Sequence, residues 1–250
     1  MPRINAYDTT ACVEKTDRKS KLLLLSNLKG VKRASSLKRH ADGQQETSTG
    51  FLNMGELAGR LIELSAPDET ASALLTVSMQ LVAEAQRKGE PVCWVMTGLD
   101  PFFPPDAADT GVNVFILPVI RINERNSKPE IIVSRAVRAA RILVRSGAFG
   151  LVVVDLGRLI NMPRHALSEL KGAALKHHTA VLFLTRKSAR CGSLGSLISL
   201  HGEALRMPAG IKNTIHDQGD FYCTVEILKD KMRGPGRRRK KTCSSPPGLT

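Results

Sequence analysis

The sequence predicts an α/β fold: a mostly parallel central sheet flanked by helices, closing in a C-terminal antiparallel hairpin. Three observations carry this. Short apolar runs at 60–65, 91–96, 150–155 and 180–184 alternate with segments of helical spacing at 71–88, 131–146 and 163–178, the order that builds parallel sheets. Two further strands, 197–205 and 220–229, follow one another across a polar connection, as a hairpin does. Residues 59–74 have the layout of a strand running into a phosphate-binding loop and then a helix.

The chain has 250 residues, 42% of them hydrophobic, enough for one full core with tails at its ends. Residues 1–50 read as a basic appendage and linker, 51–230 as the core, and 231–250 as a disordered basic tail. The formal net charge of +14 implies an acidic partner, either nucleic acid or an acidic protein surface. Five cysteines without a C-x-x-C pair exclude a zinc knuckle and a disulfide framework and fit a reducing cytoplasm. The leucine run 22–25 is far short of the roughly 20 residues that span a bilayer, so no membrane segment is expected.

In order, the first strand leads to a loop whose chemistry departs from a working P-loop. That motif needs glycines to close the backbone round the phosphates, a lysine for the β/γ oxygens and a hydroxyl for Mg²⁺. The four corresponding positions are Ala66, Ala71, Ser72 and Ala73. No nucleotide or metal cofactor is expected there. The helix that follows has apolar residues at Leu74, Leu75, Met79, Leu81 and Val82, with Gly89 as its C-cap. A second strand ends near Thr97 and Gly98. Prolines in 100–106 forbid a helix through that stretch, and 106–117 reads as a short helix leading into an apolar third strand.

Residues 131–146 form a basic amphipathic helix, with Arg135, Arg138, Arg141 and Arg145 read as a solvated face. A glycine-flanked apolar run then ends in Asp155, the shape of a Walker-B strand. Asn161 and Pro163 open the next helix; His177 and His178 near its end read as surface residues. After the strand 180–184, Arg186, Lys187 and Arg190 stand in a Ser/Gly-rich loop. The tail concentrates Lys231, Arg233, Arg237, Arg238, Arg239, Lys240 and Lys241. With the three loop cations, these seven form the candidate nucleic-acid-binding set, and docking on an acidic protein surface is the competing reading of the tail.

The string GRLIELSAPDE from Gly59, LVAEAQRKGE from Leu81, MGEL from Met54 and VEILKDKMRGP from Val225 together resemble the RecA recombinase core, from about Thr47 to Pro235. Among RecA-like proteins with a degraded P-loop the sequence is most similar to the ImuA family of translesion-mutagenesis accessory proteins, with SulA-type division inhibitors more distant. That resemblance implies a RecA-like core without ATPase activity and a cytoplasmic, nucleoid-associated place in the SOS response to DNA damage. Its implied partners are RecA, an ImuB-like polymerase-related protein and an error-prone DNA polymerase. The alternative is a DNA-binding recombination mediator working through the basic tail and the 185–195 loop.

Overall fold

A computed structural model describes residues 51–67, 72–97, 110–122, 127–159, 161–208 and 221–243. The expected N-terminal appendage, Ala71 and Gly98 lie outside the described residues. The first element of the described residues is a short helix α1 (Met54–Leu57), followed by β1 (Leu61–Ala66), α2 (Leu74–Arg87), β2 (Val92–Met96) and β3 (Val119–Arg121). It continues through α3 (Pro129–Ser146), β4 (Leu151–Gly157), α4 (Arg164–His177), β5 (Ala180–Arg186), β6 (Leu200–Pro208), β7 (Phe221–Asp230) and β8 (Arg238–Cys243).

The strands form one eight-stranded sheet in the order β3-β2-β4-β5-β1-β6-β7-β8. Pairings from β3 to β6 are parallel, and β6–β7 and β7–β8 are antiparallel. The central strands are apolar on both faces because both are covered, as parallel sheets require. On one face Ile62, Leu64, Trp94, Val153 and Leu182 pack with Val77, Leu81, Val82 and Ala85 of α2. On the other, Leu61, Val95, Val152, Val154 and Phe183 pack with Val133, Ala136, Val137 and Ala140 of α3 and Leu167, Leu170 and Ala174 of α4. Helix α3 ends at Gly147, whose φ of 66° is the left-handed conformation that favours glycine at this position.

Three expectations change. Of 106–117, read as a short helix leading into the third strand, the described part holds only a 3₁₀ turn over Val114–Ile116, capped where Asn113 accepts the Phe115 N–H, and the strand starts after Pro118. Helix α4 begins at Arg164, with Pro163 as its N-cap and no side-chain cap bond. The basic tail is not disordered along its charged part, since residues 238–243 form β8, registered from Phe221↔Cys243 to Glu226↔Arg238. The turn before it is what makes this strand. Asp230 Oδ1 accepts the Met232 N–H at 2.9 Å, the Asp230 carbonyl accepts the Gly234 N–H at 3.0 Å, and the Gly236 N–H donates to Ile227 at 2.8 Å.

Candidate functional site

In open α/β sheets ligands gather at the carboxyl ends of the strands, and that edge holds the P-loop-like segment. Ala66 closes β1 and is fully buried. Beyond Pro67, Ser72 makes an isolated antiparallel bridge to Leu205 of β6. The Ala73 N–H donates to the Ala204 carbonyl at 3.2 Å, and the Leu74 N–H to Ser72 Oγ at 3.2 Å. A helix start binds phosphate by offering free N–H groups. Here both are bonded within the protein, and the Ala73 methyl is buried in the core.

At the neighbouring strand ends, Thr97 donates both its N–H (3.0 Å) and its Oγ1 (2.9 Å) to the Asp155 carbonyl. The Asp155 carboxylate accepts the Gly157 N–H at 3.1 Å, closing the β4 bulge between Asp155 and Gly157. Among the described residues no group of three or more His, Cys, Asp or Glu side chains is placed to hold a metal ion, and no helix is long and apolar enough to cross a membrane.

The loop after β5 divides the three cations predicted to meet nucleic acid. Arg186, at the end of β5 opposite Ala66, is half-buried, and Arg190 is exposed on a 3₁₀ turn. Lys187 is withdrawn from the set. Its side chain is 5% exposed and pairs with the fully buried Glu63 at 2.7 Å, because a buried charge requires a partner. Glu63 also accepts the Thr185 hydroxyl at 2.9 Å and the Leu194 N–H at 2.7 Å. Beside it the buried His201 bonds through Nε2 to Ser65 Oγ at 2.9 Å. Burial holds the His201 pKa below its ordinary value, with Lys187 and Lys229 adding to the effect and Glu63 opposing it. Lys229 donates to Ser193 Oγ and to the Gly195 carbonyl, and Glu203 accepts the Ala189 N–H.

This buried polar centre fastens the 187–199 loop to the sheet. Sequence reading did not find it, although a trace was present: Glu63 and Ser65, then His201 and Glu203, are polar residues at alternate positions of strands that are otherwise largely apolar.

Four of the seven tail cations are committed to the fold. Arg237 and Arg60 both pair with Asp230, Arg60 at 2.7 Å; Arg233 pairs with Glu56 at 2.8 Å, and Arg239 donates to the Phe51 carbonyl at 3.1 Å. Lys231 Nζ in addition reaches the Ser196 carbonyl at 2.5 Å. Arg238, Lys240 and Lys241 are exposed on β8.

No family model matches the chain. It is 26% identical over 212 residues to the RecA protein of Nitratidesulfovibrio vulgaris, covering 72% of this chain and 56% of that one. It is 27% identical over 210 residues to the RecA protein of Herpetosiphon aurantiacus, with 72% and 56% covered. A shorter match of 35% over 143 residues to the RecA protein of Teredinibacter turnerae covers 54% and 37%. The chain thus spans about half the length of the curated relatives it matches. With the parallel sheet and its antiparallel C-terminal strands, this likeness makes the core RecA-like.

Proposed function

We propose that the chain is a non-catalytic accessory protein of the ImuA kind, acting beside RecA in error-prone translesion synthesis during the SOS response, without nucleotide hydrolysis of its own. One observation carries the reading. The N–H groups of Ala73 and Leu74, where a P-loop helix meets phosphate, are bonded to Ala204 and Ser72, and Ser72 and Ala73 replace the lysine and the hydroxyl. Phosphoryl transfer depends on positioned cations and metal more than on covalent chemistry, so losing both removes its means.

A second feature favours RecA as the partner. Strand β3 is a sheet edge, and beside it Phe115 is 96% exposed, Ile116 58% and Val119 38%. An open strand edge with adjoining apolar side chains suits docking by another chain. A RecA-like subunit seated there would end or shorten a filament, because this chain has no ATP cycle with which to continue it. An ImuB-like protein and an error-prone polymerase complete the proposed assembly.

The test is RecA filament length on single-stranded DNA, measured by electron microscopy with stoichiometric amounts of this protein. Shorter filaments are expected, with no ATP turnover attributable to the added chain. Filaments of unchanged length and number would contradict the proposal.

A further inference from the structure

Among the described residues no helix cluster covers one face of the antiparallel end of the sheet, and register defines the composition of that face. Across β6, β7 and β8 the rows on this face are Glu203–Glu226–Arg238, Leu205–Thr224–Lys240 and Met207–Tyr222–Thr242. The apolar cluster beneath α3 and α4, which covers the same side of the central strands, takes no residue from these three strands. Glu226, Arg238, Lys240, Thr242 and Met207 are exposed, and Tyr222 is half-buried.

The two cations lie flat on this surface. Lys240 Nζ sits 3.5 Å from the centre of the Tyr222 ring, and Arg238 Nη2 reaches Met207 Sδ at 3.9 Å. Neither contact is with a carboxylate. Both are soft contacts that a better partner displaces, unlike the carboxylate pairs of Arg233 and Arg237. The spacing is also apt: residues two apart on a strand are about 6.7 Å apart, close to the separation of successive phosphates on a stretched single strand. Arg190 adds a further exposed cation from the loop, whose Ala189 N–H is fixed to Glu203 in the first row.

We propose that the β6–β7–β8 face binds single-stranded nucleic acid, with Arg238 and Lys240 on successive phosphates and the Tyr222 ring, flanked by the Met207 thioether, as the surface on which a base stacks. The cationic strand beside an aromatic platform is the general chemistry of sequence-tolerant single-strand binding. An acidic peptide would use the two cations but not the Tyr222 ring. A duplex would satisfy the phosphate contacts and keep its bases from Tyr222. Glu226 stands in the first row beside Arg238, whose guanidinium reaches out of that row to Met207 in the third, so the strand lies over the rows of Lys240 and Tyr222. The inference rests on this face alone and is independent of the reading of the nucleotide site.

The test is fluorescence anisotropy of a labelled oligothymidylate titrated with the full chain over a range of salt concentrations. Losing two phosphate contacts in Arg238→Ala/Lys240→Ala is expected to reduce the slope of log K against log salt by about 1.4 in magnitude. Tyr222→Leu is expected to weaken single-strand binding about 10-fold with the slope unchanged, and to leave duplex binding as it was. Arg138→Ala/Arg145→Ala on α3 removes the same charge from another surface and is expected to keep the slope. The proposal is overturned if the α3 variant lowers the slope as much as the β8 variant, if Tyr222→Leu binds the oligonucleotide normally, or if polyglutamate competes as well as oligothymidylate.

Discussion

A lysine shut off from water must either lose its proton or meet an opposite charge, and Lys187 meets Glu63 at 2.7 Å with both side chains almost fully buried. Taking away one partner strands the other as an unpaired buried charge, which costs about 3–5 kcal/mol. Lys187→Met should therefore lower the free energy of unfolding in urea by about that amount while leaving the salt slope of oligonucleotide binding unchanged. A surface lysine on nucleic acid would show the reverse pattern, a neutral effect on stability and a shallower slope. Nothing local in the sequence distinguishes Lys187 from its neighbours Arg186 and Arg190; its partner lies on β1, and only the parallel pairing of β1 with β5 brings the two together.

At the scale of the element, β8 is the instructive case. Residues 238–243 read RRKKTC, with no apolar alternation to mark a strand, so a disordered polycation is the natural expectation from composition. The strand exists because of Asp230, whose carboxylate is 1% exposed and bonds to Arg60, Arg237 and the Met232 N–H. Burial pushes the Asp230 pKa up, but the Met232 N–H and the two arginines outweigh it, so the net shift is below the ordinary value of 3.8. A depressed carboxylate pKa means that the native state holds fewer protons than the unfolded one. The stability is therefore present above about pH 3.8 and lost as pH falls below it.

Asp230→Asn should cost about 3 kcal/mol at pH 7, and the gap to the parent chain should narrow only as pH falls below about 3.8, as read from urea midpoints. The strands β1, β2, β4 and β5 were legible for the opposite reason: buried on both faces, they are written as near-continuous apolar runs. The bounds of the third strand were not legible because the apolar Phe115 and Ile116 just before it stand in a turn facing solvent.

For the whole molecule, charge forecast an acidic partner and pattern forecast the fold, but neither distributes the cations. The P-loop motif is local, so spacing alone aligns Ala66, Ser72 and Ala73 with it. That the Ala73 N–H bonds inward to β6 was not legible, since Ala204 comes from a strand far along the chain. The described residues form a RecA-like core with the start of α2 bonded to β6 at one sheet end, an apolar edge at β3 and a basic face at β8.

The proposed function requires contact with RecA that needs neither nucleotide nor DNA. The most direct measurement is equilibrium binding to the host's RecA by biolayer interferometry at physiological salt, without ATP and without DNA. Saturable binding is expected, weakened at least about 30-fold by Phe115→Asp if that residue is a central contact, and retained by Arg238→Ala/Lys240→Ala. Binding that appears only when single-stranded DNA is added, and is indifferent to Phe115→Asp, would contradict the account.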